Sequence, residues 1–176
     1  MISSSKIILR EKTLAGARND YTWEMDHELA QLDAAPTVNA TFSQYLTDYI
    51  AELRHPLPNS YRFAIYTLDD EHIGNCSYYN VSETRGEAEL GIMIGNRDYW
   101  DKGYGTDTVS TLVDYVFYQT KLNRLYLKTL ESNTRAQKCF KKCGFSQYGD
   151  LVKKGLDFVL MEIHRDRWQE HKQPSP

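Results

Sequence analysis

The chain has few cysteines, few histidines and no long apolar run, and each shortage closes off a class of protein. Three cysteines in 176 residues, Cys76, Cys139 and Cys143, are an odd number and do not suggest a disulfide framework. The histidines, His27, His55, His72, His164 and His171, fall at no metal-ligand spacing, so no metal is expected. Basic and acidic residues nearly cancel to a net charge of −3 with no basic stripe, which argues against a nucleic-acid partner. No apolar stretch approaches the roughly 20 residues that span a bilayer, and Met1-Ile2-Ser3-Ser4-Ser5 is no charged-then-apolar leader, so no membrane partner and a cytoplasmic location are expected. Internal repeats and low-complexity tracts are absent too. A hydrophobic content of 41% with 26% charge is ordinary for one compact domain spanning residues 1–176.

What is present is a glycine turn between two legible elements. Glu89 to Ile94 is rich in Leu and Ile and closes at Gly95-Asn96, which reads as a buried strand. Tyr99-Trp100-Asp101-Lys102-Gly103-Tyr104-Gly105-Thr106 follows, and then Val109, Leu112, Val113, Val116 and Phe117 recur on one face of a helix. A glycine turn feeding a helix offers free N–H groups and the positive end of the helix dipole, a setting for phosphate. It is not a P-loop, because Lys102 precedes both glycines. Nor is it a dinucleotide fingerprint, because Thr108 stands where a third glycine belongs.

A second segment runs from Glu131 to Phe145 after an apparent strand, Arg124 to Leu130. Ala136, Cys139, Phe140 and Cys143 share a helix face, Asn133 is placed to cap its start, and Gly144 to end it in a left-handed conformation. The cysteines on that face read as core packing rather than as a metal or redox pair. Elsewhere Ile7 to Arg10 predicts a strand, Gly16 to Leu32 one or two helices, and Phe42 to Leu53 a helix ending before Pro56. Strands are predicted at Arg62 to Leu68, Ile73 to Val81, Phe145 to Val152 and Leu156 to Ile163, with disorder after Trp168. Helices followed by a mostly antiparallel sheet that two helices interrupt make an α+β arrangement.

Together the two segments resemble the GNAT superfamily of acyl-CoA-dependent N-acyltransferases: the first matches its coenzyme pyrophosphate loop, the second its N-x-x-A/S run with an aromatic and closing Gly-Phe. Ile8-Leu9-Arg10, Glu89-Leu90-Gly91-Ile92-Met93-Ile94-Gly95, Tyr99-Trp100 and Lys138-Cys139-Phe140 look most like the branch of the ribosomal-protein N-terminal (Rim-like) and spermidine acetyltransferases. The resemblance covers roughly residues 6 to 164 and is stronger for the coenzyme half. Trp100 and Asp101 depart from it, since the family often has Gln or Arg at the first position and usually glycine at the second.

The resemblance implies the GNAT fold, a central mixed sheet, mostly antiparallel, flanked by helices, and acetyl-CoA as cosubstrate. It assigns Lys102, Gly103, Tyr104, Gly105 and Thr106 to the pyrophosphate and Asn133 to the pantetheine arm, a role that can coexist with a helix cap. The backbone of Ile92, Met93 and Ile94 would lie against pantetheine and stabilise the oxyanion where the strand splays from its neighbour. Many relatives carry a tyrosine as leaving-group acid. Here that position is Phe140, assigned to packing against the coenzyme, and no acid is named.

A carboxylate on the central strand would suit a general base, with Glu89 as first candidate and Glu87 in reserve; each can equally form an ion pair with Arg85 or Arg62. Trp23, Tyr45, Tyr49, Tyr61, Tyr78 and Tyr79 are candidates to line an acceptor site. The run Asp69-Asp70-Glu71 fits a hairpin turn better than a polycation site. The reading is direct acetyl transfer to a primary amine, a protein or peptide N-terminus or a small amine. The alternatives are polyamine acetylation and an acyl-CoA-binding regulator without turnover. Oligomeric state, a homodimer included, stays open.

Overall fold

The computed structural model of the protein describes residues 2–172. Its framework is one eight-stranded sheet: β1 (Ile2–Ser3), β2 (Ile7–Glu11), β3 (Tyr61–Thr67), β4 (His72–Ser82), β5 (Glu87–Ile94), β6 (Arg124–Leu130), β7 (Ser146–Lys153) and β8 (Leu156–His164). The spatial order is β1-β2-β3-β4-β5-β6-β8-β7. Every neighbouring pair is antiparallel except β5 with β6.

Three helices precede β3: α1 (Ala17–Glu24), α2 (His27–Leu32) and α3 (Phe42–Arg54). Their starts are written locally. Asp26 caps α2 by accepting from the Leu29 N–H at 3.0 Å, and Thr41 and Gln44 form a reciprocal capping box on α3. The crossover from β5 to β6 is α4 (Tyr104–Gln119), which packs on β1, β2 and β5 and buries Val109, Leu112, Val116 and Phe117 in the core. After β6, α5 (Thr134–Lys142) is capped by the Asn133 Oδ1, which accepts from the Ala136 N–H at 3.2 Å, and Gly144 follows at φ 94.

Helix α1 docks on the end of β5 through one close approach. A Cβ on Gly95 would stand 2.1 Å from Cδ2 of the Trp23 indole, so the absence of a side chain there is what lets the ring lie flat on the backbone. One turn before Trp23, on the same buried face of α1, the contact is polar. There Asp20, fully buried, accepts from Lys12 at 2.8 Å, the Tyr49 hydroxyl at 2.8 Å and the Asn75 amide at 2.6 Å.

The expected strands and helices are present to within a residue or two, and the end of the chain differs. Helix α6 (Arg165–Lys172) continues directly from β8, so the predicted disorder does not begin at Trp168. Two long-range anchors hold it. The Arg165 guanidinium donates to the carbonyls of Phe117 in the last turn of α4, of its cap Thr120 and of Leu122 in the loop beyond, and the Trp168 indole N–H donates to Asp114 at 2.6 Å. Residues 173–176 lie outside the described residues.

Candidate active site

Strands β5 and β6 pair over only three positions, Glu87 with Arg124, Ala88 with Leu125 and Glu89 with Tyr126. Beyond them β5 stays bonded to β4 as far as Ile94 and β6 to β8 as far as Leu130, so the two strands part as a wedge. The wedge opens into a cavity of about 650 Å³ that runs to the start of α4 and the inner face of α5. That volume lies within the ordinary range for ligand sites.

At the wide end Gly103, with φ 84, turns the chain into α4 and leaves the helix start without a capping side chain. The amides of Tyr104, Gly105 and Thr106 come ahead of the Asp107 N–H, which bonds the Gly103 carbonyl at 2.9 Å, so they sit unclaimed by the helix at its positive end. Asp107, the acid of this turn, is occupied: its carboxylate accepts from the Ser4 and Ser5 hydroxyls and the Lys6 N–H. Asp101 takes φ 56, the left-handed conformation glycine favours, which explains the family's glycine at this point.

The rim is basic. Arg135 lies 3.4 Å above the Trp100 ring, whose N–H donates to the Ile94 carbonyl at 2.7 Å, and Lys138, Lys142, Lys153 and Lys154 complete the wall. Free amides and cations together match the donor set that a pyrophosphate and a further phosphate require.

Of the residues expected to contact coenzyme, Ile92, Met93 and Ile94 line this cavity from β5, Gly103, Gly105 and Thr106 from the turn, and Asn133 and Phe140 from α5. The cap uses only the oxygen of Asn133, so its amide nitrogen stays available to a ligand. Lys102 and Tyr104 do not line it: Lys102 is exposed, and the Tyr104 ring packs edge-on against Tyr99 at 4.8 Å. Cys139 and Cys143 pack against the core, and Cys139 also lines the cavity. The neighbouring Cys143 thiol donates to the Cys139 sulfur and pulls its pKa down to about 7.

A second cavity, about 380 Å³, lies between α1, α2 and the sheet. Its walls carry two acids that sequence reading passed over, Glu24 at the end of α1 and Asp33 at the end of α2. Burial raises the Glu24 pKa, against the pull of a hydrogen bond from the Tyr45 hydroxyl at 2.9 Å. Asp33 is an exposed residue at the mouth of the two cavities. Desolvation by the neighbouring protein, with Glu24 nearby, pushes its carboxyl up to about 6. The cations that line this cavity are engaged elsewhere, Lys12 with Asp20 and Arg62 with Glu52.

Among the aromatic candidates, Trp23 and Tyr79 line this second cavity. Tyr45 and Tyr49 stand behind it as donors to Glu24 and Asp20. Tyr61 and Tyr78 stack on each other at 4.5 Å, outside both cavities. The acidic run Asp69-Asp70-Glu71 makes the β3–β4 turn, where Asp70 pairs with Arg10 and Glu71 accepts from Asn96 and Tyr99.

The two glutamates of β5 line neither cavity. Glu89 is 6% exposed, accepting from Lys128 at 2.5 Å on one oxygen and from Asn80 at 2.9 Å on the other. Glu87 is held by Arg85 at 2.8 Å and Arg124 at 2.7 Å. Among the described residues no cluster of three or more His, Cys, Asp or Glu is placed to hold a metal ion.

A wedge in a mixed sheet, an uncapped glycine turn at its mouth and a basic rim make a site suited to an extended anionic ligand. The acetyltransferase (GNAT) domain model matches residues 6–146, and the chain belongs to that family. An N-acetyltransferase of Bacillus licheniformis named p20 is 35% identical over 51% of this chain and 51% of its own length. An aminoglycoside N(6')-acetyltransferase type 1 of Klebsiella pneumoniae is 28% identical over 68% of this chain and 62% of its own. The chain thus spans between about half and just under two thirds of these relatives. Among solved structures, the spermidine N-acetyltransferase of Vibrio cholerae in complex with CoA and spermine superposes with a TM-score of 0.84 at 20% identity, covering 94% of this chain and 99% of that one. That likeness is one of fold.

Proposed function

We propose that the protein is an acetyl-CoA-dependent N-acetyltransferase whose acceptor is a small amine with more than one positive charge. The observation that carries this reading is the pair of acids, Glu24 and Asp33, in a cavity that meets the coenzyme cavity at Gly91, Ile92 and Met93. One cavity is rimmed by cations and the other holds two carboxylates that form no ion pair of their own among the described residues, so an anionic coenzyme and a cationic acceptor each find a complementary partner. A peptide N-terminus brings a single charge and would leave one carboxylate unmatched. The curated and structural relatives that act on spermidine or aminoglycosides take multiply charged amines, which supports the same choice.

In this reading the pantetheine arm lies in the wedge and the acetyl carbonyl reaches the Gly91–Met93 backbone, where strand amides facing the wedge stabilise the oxyanion. Phe140, 5% exposed and packed on Phe145, supplies a wall without a proton. Coenzyme A leaves as thiolate near neutral pH because its thiol pKa is about 8.5. Glu89 holds Lys128 in place beside the wedge.

The test is the initial rate of coenzyme A thiol release with spermine, an aminoglycoside, a monoamine and an N-terminal peptide. Spermine and the aminoglycoside are expected to turn over, and Glu24→Gln to raise their KM about tenfold while leaving the monoamine unchanged, as loss of one charge pair implies. Turnover of the peptide or monoamine in preference to both polycations would overturn the reading. Acetyl-CoA binding without release for any amine would favour a coenzyme-binding regulator.

A further inference from the structure

The geometry points to Asp33 as the group that takes the proton from the acceptor ammonium, an inference that rests on the acetyltransferase reading above. Both reactants must meet where the two cavities join. Six residues line both: Leu29, Asp33, Tyr79, Gly91, Ile92 and Met93. Four of them carry no titratable group. Tyr79 donates its hydroxyl to Glu89, and burial raises its pKa, so it stays protonated. Asp33 is the remaining one, the single carboxylate common to acceptor and coenzyme.

Its placement is specified by the chain on both sides. The Asp33 N–H closes α2 on the Leu29 carbonyl at 3.0 Å, and Ala34 at φ 52 then turns the backbone away. Helix α2 is itself latched to the coenzyme side, since Arg97, just before the glycine turn, binds Asp26 at 2.8 Å and Glu28 at 2.7 Å. Among the described residues no side chain donates to the Asp33 carboxylate, whereas both oxygens of Glu89 are taken.

The charged and titratable groups facing Asp33 are Glu24 from α1, Lys128 from β6 and Tyr79 from β4. Lys12 and Arg62 lie farther along the acceptor cavity, and Lys153 and Lys154 along the coenzyme cavity. Partial desolvation by neighbouring protein raises the Asp33 pKa most, Glu24 adds to it and Lys128 opposes it, which leaves it at about 6 although the residue is exposed. A carboxylate so raised is still ionised above neutral pH and is a stronger base than one at the ordinary carboxylate value.

The step balances. One ammonium proton passes to the Asp33 carboxylate, and the freed nitrogen pair attacks the thioester carbonyl to form the C–N bond. The C–S bond breaks as the carbonyl reforms, the departing thiolate takes a second nitrogen proton, and Asp33 returns its proton to solvent through the open cavity. The products are the amide, coenzyme A and one released proton.

The experiment is a pH profile of kcat/KM, pH 5 to 9, for wild type, Asp33→Asn, Asp33→Glu, Glu89→Gln and Glu24→Gln, with the coenzyme A Kd measured alongside. The wild-type rate is expected to fall as pH drops through about 6, the value desolvation sets for Asp33. Asp33→Asn is expected to lose that limb and about 100-fold in kcat, the usual worth of a positioned base, with the Kd within twofold. Asp33→Glu recovers part of the rate with a shifted limb; Glu89→Gln keeps the limb, and Glu24→Gln keeps it but moves it to lower pH, since Glu24 raises the Asp33 pKa. An Asp33→Asn protein with the limb intact and kcat within threefold of wild type overturns the proposal. If no amine is acetylated, the acceptor reading fails by itself. Asp33 is then judged on amine-free hydrolysis of acetyl-CoA, where it would take the proton of water, and equal hydrolysis profiles for wild type and Asp33→Asn overturn the inference.

Discussion

Gly95→Ala tests how α1 is held. The added methyl would sit 2.1 Å from Cδ2, 2.4 Å from Cε2 and 2.5 Å from Cγ of Trp23, that is, inside the face of the indole rather than at the tip of a flexible chain. Contact between carbons needs about 3.5 Å or more, so the ring must retreat by roughly 1.5 Å. Trp23 is 8% exposed and packed on His72 at 4.9 Å, so its retreat would displace His72 or push the ring into the second cavity, which it lines. Overpacking of this kind costs about 1–3 kcal/mol, and outright expulsion of the ring approaches the roughly 3–5 kcal/mol of deleting a buried Trp. The expectation is therefore about 2–4 kcal/mol of lost stability, read as a fall of roughly 1–2 M in the urea midpoint. Glu24, the next residue, shifts with the helix, so KM for a polycation should rise several-fold. In a double-mutant cycle Trp23→Leu should absorb part of the Gly95→Ala loss. A single mutant within 0.5 kcal/mol of wild type, or strict additivity in the cycle, would show that α1 does not rest on this contact.

Three further outcomes are expected. Glu89→Gln, which breaks the ion pair with Lys128 in a buried setting, should cost about 1–3 kcal/mol in chemical denaturation because the partner cation keeps some solvent, and an unchanged midpoint would refute the pairing role. Because the Asp33 pKa is raised to about 6 in the folded protein, its ionisation opposes folding above that pH and not below about 4, where the carboxyl is protonated in both states. Asp33→Asn should therefore melt higher than wild type at pH 7.5, with the gap closing as pH falls from 6 to 4; a gap that widens in acid would reverse the sign and the argument. Cys139, with its thiol pulled down to about 7, should alkylate at neutral pH while Cys76 and Cys143, both held high, do not, and coenzyme A should slow the reaction about tenfold.

The coenzyme half was legible because its determinants are local. A glycine turn, an Asn cap and the helix periodicities of α4 and α5 each declare themselves within a few residues, and they pointed to one family. The acceptor half was not. Glu24 and Asp33 sit at the ends of two short helices and acquire meaning only when α1 and α2 fold over β5. Nothing in the sequence around either acid distinguishes it from a solvated helix end. Glu89 shows the opposite case: strand alternation sets it on one face with Gly91 and Met93, but Asn80 from the neighbouring strand and Lys128, 39 residues on, hold both its oxygens. Helix α6 escaped notice because its hold on the molecule lies in Arg165 and Trp168 reaching α4, a contact across more than forty residues.

The three-residue seam between β5 and β6 makes the eight strands two half-sheets, β1 through β5 and β6 through β8, joined like scissor blades at Glu89 and Tyr126. Past that pivot, each blade presents an unbonded backbone edge to the other across a slit. Such edges ordinarily recruit foreign strands. Here the slit is internal and admits only something as slender as one extended chain, so the danger is converted into selectivity. A ligand whose arm carries its own amides would act as a ninth strand, pinning the blades at a set angle. Its departure would return to the protein a hinge that no side chain supplies.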